Sequence, residues 1–85
     1  MIWRIVYSHR ASRDLRSLDP PVARRVLQAL DRLAEVGQGD LRRLQGAGEE
    51  LRLRVGDWRI RLVFETEYHT IRVFQISHRS QAYRR

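Results

Sequence analysis

Apolar residues follow two different periods along this chain, and the period changes where the elements should change. Ile2, Trp3, Ile5, Val6 and Tyr7 have strand composition, which predicts a first strand over residues 2–7. Ser8 then stands where an N-cap belongs, and Ala11, Leu15 and Leu18 recur at helical spacing, predicting a short amphipathic helix over His9–Leu18. Asp19-Pro20-Pro21 ends that helix and opens another, with Asp19 as N-cap and proline in the first turn. Ala23, Val26, Leu27, Leu30, Leu33 and Ala34 continue the 3.6-residue stripe until Gly37, a C-cap residue.

From Gly37 to Glu50 glycine recurs at 37, 39, 46 and 48, and the segment is expected to be a loop pinned by Leu41 and Leu44. Beyond it the period falls to two. Three strands are predicted, Leu51–Val55, Trp58–Glu65 and Thr70–Ser77. The order β-α-α-β-β-β implies one α+β domain over residues 1–85, with both helices on one face of a mainly antiparallel four-stranded sheet. Trp3, Trp58, Phe64 and Phe74 occupy strand positions suited to core packing.

Gly56-Asp57 between two alternating runs is a hairpin signal, since glycine at the first turn position supplies a positive φ. That fixes a register. Val55 should face Trp58, Leu53 face Ile60 and Leu51 face Leu62, which collects the apolar side chains on one side. The opposite side then receives Arg54 across from Arg59 and Arg52 across from Arg61, with Glu65 the one acid at matching parity. Like charges directly across two strands destabilise a sheet, so four arginines so placed call for an anion among them.

Composition strengthens this reading. The chain has 17 Lys+Arg against 10 Asp+Glu, a net charge of +7, and every one of those cations is arginine. Phosphate oxygens suit the bidentate guanidinium fork, and a small domain this basic meets a polyanion, nucleic acid or acidic protein. The absence of cysteine excludes disulfides and thiolate metal sites, and His9, His69 and His78 have no ligand spacing, so no metal and no cofactor are expected. No apolar run is long enough to span a bilayer, and the helices lack an interfacial apolar face. A soluble cytoplasmic protein without a membrane partner is the expectation. The tail from Ser77 adds His78, Arg79, Tyr83, Arg84 and Arg85 beside the hairpin, bringing cations, an imidazole and a phenol toward the arginine face.

Leu51-Arg52-Leu53-Arg54-Val55-Gly56-Asp57-Trp58-Arg59 resembles the hairpin signature of the RelE/ParE toxin superfamily, and Ile76-Ser77-His78-Arg79 with Ala82-Tyr83 resembles its closing motif. Ala11, Asp14-Leu15, Leu18-Asp19-Pro20 and Leu44-Gln45-Gly46 resemble its upstream elements in the same order. Leu51 departs from the tyrosine common at its position, and Ser77 from a common glycine. The resemblance implies a toxin of a type II toxin–antitoxin pair, neutralised by an acidic, partly disordered antitoxin segment. In the RelE-like branch it implies metal-independent cleavage of mRNA on the ribosome at the A site, by attack of the 2′-hydroxyl on the adjacent phosphate. By motif position, Arg59 and Arg79 would meet the scissile phosphate, Arg52 and Arg54 would stabilise flanking charge, and Tyr83 would orient the nucleotide or transfer a proton. His78 is a further proton-transfer candidate, and Arg61, Arg84 and Arg85 are candidates for substrate or antitoxin binding. The alternative is the ParE-like branch, which binds and inhibits DNA gyrase without RNA chemistry.

Overall fold

The computed structural model describes residues 2–43, 46 and 48–82. Its elements are β1 (Arg4–Tyr7), α1 (His9–Arg16), α2 (Pro20–Val36), β2 (Asp40–Arg43), β3 (Leu51–Val55), β4 (Trp58–Glu65), a 3-10 turn (Thr66–Tyr68), β5 (Thr70–His78) and a last helical turn, α3 (Arg79–Ala82). The strands form one sheet in the order β1-β5-β4-β3-β2. The class is therefore the expected α+β. The sheet has five strands instead of four, because Asp40–Arg43, expected as loop, pairs antiparallel with β3. Four residues with alternation in only one apolar side chain, Leu41, carry too little pattern to reveal a strand; pairing with an already formed hairpin supplies what their own sequence lacks.

Ser8 caps α1 as expected, its side chain accepting the Ala11 N–H. The helix ends at Arg16, short of Leu18. Gly37 closes α2 in the left-handed region at φ 71°, while Asp19 precedes the helix without a side-chain cap bond. The prolines at the next two positions leave few N–H groups there to cap. Val26, Leu30, Leu33 and Ala34 of α2 are buried with Ala11 of α1 against Leu53, Ile60, Leu62, Ile71, Val73 and Ile76 of the sheet. Leu27, expected in that stripe, lies at its exposed border, whereas Val22 and Ala29 pack on the core.

β1 and β5 pair in parallel, with Ile5 beside Ile71 and Tyr7 beside Val73. β1 stops at Tyr7, so the remainder of β5 would present an open edge on that side. α1 covers it. Ser8 N–H donates to the Val73 carbonyl, the Ser8 hydroxyl to the Phe74 carbonyl, and the Asp14 carboxylate accepts the Ile76 N–H at 3.0 Å. At the other end Trp3 packs edge-on against Phe64 and stacks on His69 with ring centroids 4.1 Å apart, so His69 is an inner member of an aromatic cluster. Among the described residues no helix is long and apolar enough to cross a membrane.

Candidate anion-binding face

With the helices on one side, the alternation of the strands sends every second residue to the other. The β3–β4 register is the one the sequence predicts: Val55 faces Trp58, Leu53 faces Ile60, Leu51 faces Leu62, Arg54 faces Arg59 and Arg52 faces Arg61. Gly56 makes the turn possible with φ 59°, in the left-handed region where a Cβ is disfavoured. β2 then extends both arginine rows, because Asp40 lies across from Arg54 and Arg42 from Arg52. β5 closes them with Ser77 across from Arg59 and Gln75 across from Arg61. Arg42, Arg52, Arg54 and Arg59 line a shared cleft of about 280 Å³.

The arginines of this cleft are not equivalent. Arg59 is buried, and its Nη1 donates to the carbonyls of Gly56 at 2.9 Å and Trp58 at 3.0 Å, tying the guanidinium to the turn. Ser77, small and itself buried, is the residue opposite it. Arg54 is exposed, and among the described residues its guanidinium has no hydrogen bond or ion pair. Arg61 is held from two sides, by Glu50 at 2.6 Å and by the Gln75 amide oxygen at 3.4 Å. The expectation that Glu65 alone supplies acid to this face is thus corrected. Glu50 lies in the loop before β3 and Asp40 on the unforeseen β2, so neither was visible to a parity count along the predicted strands. Glu65 itself pairs with Arg72 at 3.1 Å. Arg42 is the cleft residue that the sequence reading missed, for the same reason as β2 itself.

Arg79 begins α3, its backbone N–H donating to the Asp57 carbonyl at 2.7 Å and its side chain 3.8 Å from the Asp57 carboxylate, both largely exposed. The turn therefore fixes where the tail departs. His78 does not join the arginines. It is in register with Trp58, on the parity of the apolar face, and its ring meets that indole edge-on with centroids 5.2 Å apart. Its Nδ1 accepts the Ser80 N–H at 3.2 Å and lies 3.0 Å from the Ser80 hydroxyl, which makes it the cap of α3. Tyr83, Arg84 and Arg85, as well as Leu44 and Gln45, lie outside the described residues.

The two helices thus pack on one face of the five-stranded sheet, and the arginine cleft lies on the other. Residues 5–83 match the model of the ParE toxin of type II toxin–antitoxin systems, and the chain belongs to that family. Its fold is similar to that of RelE in the archaeal RelE–RelB complex from Pyrococcus horikoshii, at 25% identity over 96% of this chain and 100% of the other, with a TM-score of 0.78. The RelBE2 complex of Mycobacterium tuberculosis matches at 23% identity over 93% and 100%, TM-score 0.76. The isolated RelE toxin of E. coli matches at 15% identity over 89% and 83%, TM-score 0.78. Among curated protein sequences none matches the chain.

Proposed function

We propose that this toxin is an endoribonuclease that cleaves mRNA, acting on the ribosome at the A site by attack of the 2′-hydroxyl on the neighbouring phosphate. The observation that carries the reading is the cleft lined by Arg42, Arg52, Arg54 and Arg59, a concave site of four guanidinium groups in which Arg54 stands across from Arg59 and Arg52 from Arg42, with Asp40, 3.7 Å from Arg42, as an acid of the same rows. Phosphoryl chemistry of this kind needs a positioned phosphate and stabilisation of the charge that grows on it. Arg59, preorganised by the turn, and Arg79 would hold the scissile phosphate, while Arg52 and Arg54 would stabilise flanking charge. A guanidinium stays protonated at any accessible pH, so none of them serves as general base. Tyr83 would orient the nucleotide or transfer a proton. His78, turned toward Trp58, would act on the site through α3, which it caps. Arg61, Arg84 and Arg85 would add to substrate or antitoxin binding, and the partner that silences the toxin would be an acidic, partly disordered antitoxin segment. The site of action would be the cytoplasm.

Inhibition of DNA gyrase is the second reading, and the match to the ParE family model favours it. Purified toxin added to translating ribosomes, with mapping of the resulting mRNA ends, separates the two when run beside a gyrase supercoiling assay. New mRNA ends with unimpaired supercoiling support the nuclease; the reverse pattern supports the gyrase inhibitor.

A further inference from the structure

β5 carries a bulge opposite the Arg61/Leu62 step of β4, where the register passes from Arg61–Gln75 to Leu62–Val73 and leaves Phe74 without a partner. The alternation of β5 shows what this does. Ile71, Val73 and Ile76 are buried in the core, whereas Arg72, Phe74 and Gln75 are all only half-buried. Arg72 and Gln75, across from Val63 and Arg61, both hold the solvent parity, so the extra residue Phe74 breaks the alternation between them, and the Gln75 amide bonds Arg61 there. Phe74, unlike Trp3, Trp58 and Phe64, does not pack against the core cluster. The expectation that it is a core aromatic is corrected: it lies outside the core cluster, at the bulge between Arg72 and Gln75, two residues of the arginine-face parity. Bulges are a known device for re-aiming one side chain beside a functional site.

Resting on the nuclease reading, we infer that Phe74 is a base-stacking platform for single-stranded RNA whose phosphates lie in the arginine cleft. An aromatic ring on the strand beside the arginine rows would match the alternation of base and phosphate along a single strand, and stacking accepts any base because each has a π-face. β5 is two strand spacings, about 10 Å, from β3, which places the ring within reach of a neighbouring nucleotide when a phosphate sits between Arg52 and Arg54. The carboxylates of an acidic peptide would satisfy the arginines equally well, yet they gain nothing from a ring beside them, whereas every nucleotide brings a base that can stack on it.

The test is equilibrium binding of a short single-stranded RNA, of inorganic polyphosphate and of a peptide of alternating glutamate and leucine to the full chain at fixed salt. Phe74→Leu, which keeps the apolar bulk, should weaken RNA on the order of ten- to a hundredfold and leave polyphosphate unchanged. Phe74→Tyr should restore RNA binding, and thermal melting of each variant shows that it is folded. If Phe74→Leu binds RNA as wild type does while Arg54→Ala binds it more weakly, the platform is overturned and the nuclease reading stands. A loss confined to the peptide assigns the ring to a protein partner and overturns the platform too. If wild-type protein binds polyphosphate but no RNA, the platform is overturned, while the nuclease reading stands or falls on mRNA cleavage by the same protein with translating ribosomes.

Discussion

Arg54 and Arg59 stand directly across from each other on β3 and β4, yet of their two guanidinium groups only that of Arg59 is bound by the protein among the described residues, through Nη1 to the Gly56 and Trp58 carbonyls. One member of the pair is preorganised and the other is left to the ligand. Replacing them should therefore have different consequences. Arg59→Ala removes hydrogen bonds from a charged donor to the turn and should cost about 1–3 kcal/mol of stability as well as function. Arg54→Ala should cost function with stability within about 0.5 kcal/mol of wild type. Urea unfolding of the two variants checks this, and equal stabilities would show that the turn bonds contribute nothing.

Arg61 offers an internal control. It already holds Glu50 and Gln75, so it should add less to anion binding than Arg54. Arg61→Ala should accordingly reduce affinity for a short RNA less than Arg54→Ala does. Glu50→Gln should raise affinity by releasing the Arg61 charge to the ligand. Titration at low salt, where such charges are least screened, measures both.

Asp14 has a structural task, capping the Ile76 N–H where β1 no longer covers β5. Asp14→Ala leaves that amide without its acceptor and should destabilise the fold by about 1–3 kcal/mol. Asn at the same position keeps an oxygen acceptor and should lose less. Thermal melting ranks wild type, Asn and Ala in that order if the account is right.

The hairpin was fully legible in the sequence, because two five-residue alternating runs around Gly56-Asp57 admit one register that keeps the apolar side chains together. The same holds for α2, whose stripe and Gly37 cap are local signals. β2 and the bulge at Phe74 were not legible. A four-residue edge strand exists through its pairing with β3, and a bulge is a mismatch between two strands that neither one encodes alone. Both omissions fell on the site: the first hid Arg42 and Asp40, the second hid the phenyl ring. His78 was misplaced for a related reason, since closeness in sequence to Arg79 says nothing about which face of β5 a residue takes.

Tyr7 gives the fold a pH dependence at the alkaline end. Burial, with the nearby Asp31 carboxylate, raises its pKa above the usual value of 10.0. In the unfolded chain the phenol loses its proton first, so the contribution of Tyr7 is fully present below pH 10 and is lost as pH rises through the higher folded value. Stability should decline above pH 10, and Tyr7→Phe should make that decline shallower. Chemical denaturation at several alkaline pH values checks it; identical slopes for the two proteins would contradict the assignment.

In the proposed nuclease, a defined arginine cleft and not general basicity would carry the activity. Single-turnover cleavage of mRNA on programmed ribosomes tests it most directly, comparing Arg54→Ala with Arg13→Ala, a charge-matched change on exposed α1. Arg13→Ala should cleave at the wild-type rate, and Arg54→Ala, equally folded, should lose at least about tenfold, the equivalent of one charge-assisted contact. Equal rates for the two variants would contradict it.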